Sequence, residues 1–194
     1  LKEVCAACQL NTVNAHSADL FGFDLNRYMN ENQIHLLSYT NADYQFVRSI
    51  ESYRGFHVVR DPRDLIISSY FSHLYSHPTT GWEALVEHRK MLKHLSKSGG
   101  ILLDINFIKA DVLDKMGSWN YSDPNILEIR MELLTRHPLE EFERILSFLG
   151  IMDKAETHSS GFDRAQLSEI LEKYSFKKMT GRNHNLPSEI FRPL

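Results

Sequence analysis

The sequence predicts an α/β domain in three layers, a central parallel sheet with helices on both faces, from three observations. Short apolar runs of strand length stand at 33–38 (QIHLLS), 55–60 (GFHVVR) and 126–131 (ILEIRM). Stretches with helical periodicity separate them, so successive strands are joined by right-handed crossovers, which make the pairing parallel. The runs read as buried, which suits a sheet covered on both sides.

The bulk numbers agree with one domain. A chain of 194 residues, 42% hydrophobic and 24% charged, has the balance of an ordinary globular domain. A formal net charge of −3 excludes a binder that relies on a broadly basic surface to hold nucleic acid, so any anion site must be local. No run approaches the roughly 18 apolar residues that signal a membrane-spanning helix, and the start lacks the layout of a secretion signal.

Leu1, Val4, Cys5 and Cys8 recur at helical spacing, predicting a helix over 1–10. Cys5 and Cys8 form a C-x-x-C without the flanks of a thioredoxin-like motif. They read as two thiols on a helix face, with redox or metal work as the alternative, and a reduced, cytoplasmic setting follows. Asn11 and Asn14 then break the pattern into a loop. The first strand, 33–38, ends at Thr40-Asn41, and the second, 55–60, carries paired valines behind a glycine.

After it, Asp61 suits a cap and Pro62 a first turn, with a helix running towards His77. Thr80 and Glu83 have capping-box spacing before Leu85, Val86, Leu92 and Leu95, predicting a helix over 82–96 that Gly99-Gly100 ends. Residues 101–116 are apolar and long enough for helix, and NYSDPN at 120–125 is turn chemistry leading into the third strand. Pro138 opens a helix whose Leu139, Phe142, Ile145, Leu146 and Leu149 form one stripe, ended by Gly150. Asp163 and Gln166 cap a last helix carrying Leu167, Ile170, Leu171 and Tyr174, and the chain beyond Phe176 reads as loop. No repeat, low-complexity tract or domain linker interrupts it.

The chemistry concentrates in 55–70, where a buried strand ends in a cation just as a helix begins, the edge at which open α/β sheets bind ligands. Arg60 at the strand's end and Ser68 two helical turns later can face one pocket, offering a guanidinium fork and a hydroxyl to a single phosphate. The alternative is a local Arg60–Asp64 ion pair with Ser68 facing solvent.

Arg60-Asp61-Pro62-Arg63-Asp64-Leu65-Ile66-Ile67-Ser68, followed by Ser69-Tyr70, resembles a motif of the sulfotransferase superfamily that uses 3′-phosphoadenosine-5′-phosphosulfate. In that family a strand runs into R-D/N-P-x-D-x-x-x-S and an aromatic. The resemblance implies a P-loop nucleotide-hydrolase-like fold, one sulfotransferase domain over 1–194, and Arg60 and Ser68 on the donor's 3′-phosphate, with Asp64 orienting the turn. A second landmark is similar to the family's strand, "Y-E-x-L", Pro-started helix and "F-L-G": here Glu132, Leu133 and Leu134, Pro138, then Phe148-Leu149-Gly150, with Met131 where the family has tyrosine. Trp119 matches a family tryptophan, and an aromatic there also suits a core. A third landmark pairs Ser175-Phe176 with Gly181-Arg182 and then Phe191-Arg192, so Arg182 and Arg192 are candidate donor contacts, or else ordinary exposed loop arginines.

The same resemblance implies a Gly- and Ser/Thr-rich loop for the 5′-phosphosulfate. None of the nine glycines sits in one, so the loop is expected upstream of Leu1, and the domain is expected to be incomplete at its N-terminus, with the C-terminus as a second candidate. An upstream anchor would move the expected setting to the Golgi lumen. Many family members keep a histidine after the second strand, where Ser38-Tyr39-Thr40-Asn41 has none. His16 is the candidate general base by position, with a solvated loop histidine as the alternative. His73 and His77 are spaced i, i+4, but two ligands without a third make a weak metal case, the alternatives being that they line the acceptor side or the helix surface, and the resemblance implies a reaction that requires no metal. The implied partner is a small-molecule or carbohydrate hydroxyl, or an amine. A nucleotide kinase of the same fold class and a non-catalytic nucleotide-binding module are the competing readings.

Overall fold

The computed structural model describes residues 1–152, 162–175 and 178. Its described strands form two parallel pairs rather than one continuous sheet. Helix α1 (Lys2–Ala7) buries Val4 and Cys5, and Val4 packs against Leu146, Phe162 and Leu167 from the far end of the chain. Strand β1 (Thr12–Ala15) follows, where the two asparagines predicted a loop. Its sequence, TVNA, buries only Ala15, so it carries no apolar run to announce itself.

Asn11 organises this pair. Its side-chain amide donates to the carbonyls of Asn32 and Gln33, its backbone N–H to His35 Nδ1, and its carbonyl accepts from the N–H groups of His35 and Leu36. That clamp sets the parallel register with β2 (Leu36–Tyr39), from Thr12 opposite Leu36 to Ala15 opposite Tyr39. The strand lies later than the expected 33–38 because Gln33, at φ 49°, still belongs to the turn that ends α2 (Leu25–Glu31). Asp24 caps α2 through Arg27 N–H, and Asp43 caps the short α3 (Tyr44–Val47) through Gln45 N–H. One side of the pair is an aromatic cluster, Phe21 edge-on to Tyr39 at 5.5 Å and to Phe46 at 5.3 Å.

Strand β3 (Gly55–Val59) pairs with β4 (Ile126–Arg130), Gly55 opposite Ile126 and Val59 opposite Arg130, both close to their expected positions. Helix α4 (Pro62–Phe71) starts as predicted, with the Asp61 carboxylate accepting from Arg63 N–H and Pro62 in the first turn, and a π-helical turn over Ser72–Ser76 continues it to His77.

Two expectations for the next stretch fail. Thr80 does not cap α5 (Glu83–Leu92): Gly81, at φ 74°, turns the backbone left-handed, and Trp82 holds the cap position without a side-chain bond. Gly99 and Gly100 lie inside α6 (Lys97–Ile108), capped by Ser96. A Cβ on Gly100 would stand 2.7 Å from Tyr70 Cε2, so this glycine permits α4 and α6 to approach. Around it Tyr70, Leu74 and Leu92 form a core.

The predicted helix over 101–116 is three pieces: the end of α6, a π-helical turn over Lys109–Leu113, and α7 (Asp114–Ser118). Helix α8 (Met131–Arg136) leaves β4 directly. Helix α9 (Pro138–Phe148) and Gly150, at φ 73°, match their signals, and α10 (Arg164–Lys173) has the full Asp163–Gln166 capping box.

Candidate functional site

The carboxyl edge of β3 is where charge and cavity meet. Arg60 is exposed, and among the described residues its guanidinium has no ion pair or hydrogen bond. The alternative Arg60–Asp64 pair therefore does not form. Local chemistry explains why Arg60 is uncommitted, because the neighbouring carboxylate is already satisfied. Asp61 accepts from Arg63 Nη2 at 2.6 Å, Nε at 3.0 Å and N–H at 2.9 Å, and these bonds pull its pKa down to about 2.

Glu132 meets the same edge from the first turn of α8, just beyond β4. Its Oε1 accepts from Asp61 N–H at 3.2 Å, which joins the second sequence landmark to the first. The N–H groups of Glu132 and Asp61 hold its carboxyl below the usual range, with a smaller contribution from the Arg60 charge. Met131, standing where the resemblance leads one to expect a tyrosine, is exposed as the first residue of α8.

A cleft of about 1220 Å³ opens between the two strand pairs. Its walls include Leu37 and Tyr39 of β2, His57 of β3, Arg60 directly after that strand, and Trp119. Ser68 is exposed on α4 and Asp64 lies in that helix's first turn, and neither lines the cleft. His16 is exposed directly after β1 and is likewise not part of the walls. The structure thus brings Arg60 to the cavity and leaves Ser68, Asp64 and His16 off its walls. Arg182 and Arg192 lie outside the described residues.

One group in the cleft escaped sequence reasoning. His57 and Glu128 are partners in the β3–β4 register, with His57 Nδ1 and Glu128 Oε2 2.9 Å apart. The other carboxylate oxygen accepts from Trp119 Nε1 at 2.9 Å, and the indole lies against the imidazole with ring centres 4.0 Å apart. Burial pushes the His57 pKa down and the Glu128 carboxylate partly opposes it. The available signal was a polar residue at the centre of each apolar run, G-F-H and I-L-E, where a parallel pairing puts them side by side. Nearby, the hydroxyls of Tyr44 and Tyr53 donate to one oxygen of Asp123, at 2.9 and 2.5 Å.

The remaining sequence candidates also find places. Cys5 and Cys8 are free thiols whose pKa values burial raises, which suits the helix-face reading better than thiolate chemistry. His77 is exposed, and His73 is buried with its Nδ1 directed at Asp104, so the i, i+4 pair is not a unit. No helix among the described residues is long and apolar enough to cross a membrane.

The sulfotransferase domain family matches residues 51–192, from before β3 to the chain's last residues. A comparison with curated proteins finds no match. Among solved structures, the mouse sulfotransferase SULT7A1 complexed with PAP is similar at 17% identity with a TM-score of 0.48, over 96% of this chain and 62% of that one. The chain therefore spans less than two thirds of that protein's length. With a family match across most of its residues, β3, α4, β4 and α9 included, the chain belongs to the sulfotransferase domain family.

Proposed function

We propose that the chain is the larger part of an enzyme that transfers a sulfuryl group from 3′-phosphoadenosine-5′-phosphosulfate to an acceptor hydroxyl or amine. The observation that carries this reading is Arg60, an exposed guanidinium with no protein partner among the described residues, at the carboxyl end of β3 and on the wall of the cleft. On this proposal the donor's 3′-phosphate sits at the rim, held by Arg60 just after β3 and by the Ser68 hydroxyl from α4, with Arg182 and Arg192 as further contacts. The reaction is an in-line displacement. The acceptor oxygen or nitrogen forms a bond to sulfur, the bridging S–O bond breaks, and 3′-phosphoadenosine-5′-phosphate leaves with the electron pair. The acceptor's proton passes to a base, for which His16 is the candidate. A small-molecule or carbohydrate acceptor fits a cleft of this volume, and the free Cys5 and Cys8 support a reducing, cytoplasmic compartment.

The test is thermal stability with two nucleotides that differ in the 3′-phosphate. 3′-Phosphoadenosine-5′-phosphate is expected to raise Tm more than adenosine 5′-phosphate at equal concentration. Equal shifts would remove the proposed 3′-phosphate site.

A further inference from the structure

Outside the cleft, three elements send their buried polar side chains to one point. His73 comes from the π-helical turn after α4, His88 from α5 and Asp104 from α6, and their exposures are 6%, 2% and 0%. We propose that these three residues bind one divalent transition-metal ion of the zinc class, which fastens α4 to α5 and α6.

The donor set fits. One ligand atom from each residue lies within 4.8 Å of the other two. Two imidazoles with one carboxylate is a nitrogen-rich set that suits zinc and cobalt, whereas magnesium and calcium favour all-oxygen sites. The hydrogen-bond pattern points the same way. Both imidazoles converge on a single oxygen, with His73 Nδ1 at 2.7 Å and His88 Nε2 at 2.9 Å from Asp104 Oδ1. Asp104 Oδ2 is fully buried and has no hydrogen-bond partner within bonding distance among the described residues, although the Ser69 side chain stands close enough to help lower the carboxyl's pKa. A histidine–aspartate–histidine triad kept for its hydrogen bonds alone would distribute its donors over both oxygens, because an unpartnered buried carboxylate oxygen is unfavourable. A cation among the three donor atoms compensates the whole carboxylate.

The rings are also held in place. His88 stacks on Phe107 at 3.9 Å and 9°, and His73 meets Phe107 and Trp82 edge-on at 85° and 89°. Arg89 Nε donates to the His73 carbonyl, fixing the turn that carries the ring. The π-helical turn adds one residue to the helical repeat just where His73 must face inward, and such turns concentrate at functional positions. Ser69 Oγ lies 3.3 Å from His73 Nδ1 and would offer a fourth ligand. Ser69 is adjacent to Ser68, so an ion here would steady the part of α4 that carries the proposed phosphate contact. None of the three ligands lines the cleft, which makes the role structural.

The experiment uses the full chain, stripped with a chelator and dialysed, then titrated with Zn²⁺, Co²⁺ or Mg²⁺. One equivalent of Zn²⁺ or Co²⁺ is expected to raise Tm by several degrees, Mg²⁺ to leave it unchanged, and Co²⁺ to give visible ligand-field bands without a thiolate charge-transfer band. His88→Gln and Asp104→Asn are expected to lose bands and shift together, while His77→Gln keeps both. Wild-type protein with neither bands nor a Tm shift overturns the proposal, even if the buried variants fail to fold. Bands that survive in folded His88→Gln, or that carry thiolate character, place the metal elsewhere and overturn it too.

Discussion

The two strand pairs are both short and both parallel, yet they are held by different means. In β1–β2 the register depends on one exposed asparagine, Asn11, and one side is covered by Phe21, Tyr39 and Phe46. In β3–β4 the apolar strands bury Ile129 completely and carry a polar cross-strand pair, His57 and Glu128, which Trp119 closes on the cleft side. The first pair supplies the cleft with an apolar wall and the second supplies charge and hydrogen bonding. The difference concentrates charge at the edge of β3–β4, which Arg60 and Glu132 follow within two residues, and that is where the proposed phosphate site lies.

Core substitutions should separate the pairs most. Ile129→Ala removes a fully buried side chain from β4 and should cost about 2–5 kcal/mol of unfolding free energy in urea. Ala15→Leu overfills the space beside Phe21 and Leu25 and should cost about 1–3 kcal/mol. A larger loss at Ala15 would reverse the comparison and make β1–β2 the more tightly packed element.

Arg60→Ala should weaken 3′-phosphoadenosine-5′-phosphate binding by ~1.5–3 kcal/mol, the scale of a charge-assisted hydrogen bond. It should leave Tm without ligand almost unchanged, since the guanidinium has no protein partner among the described residues. Calorimetry that finds unaltered affinity would move the anion site away from β3.

The smallest effect is a pH dependence specific to β3–β4. The His57 pKa is lowered on folding, so the unfolded chain takes up the proton more readily. The stability that His57 contributes is complete above the ordinary histidine pKa and is lost as pH falls through the lowered folded value. His57→Gln should flatten that slope in chemical denaturation, with Trp119 fluorescence reporting the protonation because the two rings touch. An unaltered slope would show that His57 does not titrate in this window.

Much of the frame was readable because its signals act within one turn. Asp61 with Pro62, Gly150, and Asp163 with Gln166 need only their neighbours to cap or end a helix. The runs of β3 and β4 were visible through their β-branched and apolar composition, although they are less buried than that composition predicts: Ile129 alone is fully buried, and Val58 is exposed. β1 was invisible because TVNA is specified by Asn11 gripping residues more than twenty positions away, not by its own composition. Thr80 misled because the left-handed turn at Gly81 overrides a spacing rule.

The site divides along the same line. Arg60 was legible as a cation at a strand's end, a property of order along the chain. The partnership of His57 with Glu128 spans 71 positions, and Asp104 gathers His73 and His88 from 31 and 16 positions away. No local pattern encodes such meetings. They exist only once strand register and helix packing have brought distant backbones within hydrogen-bonding reach, and burial then gives those few polar groups their electrostatic weight.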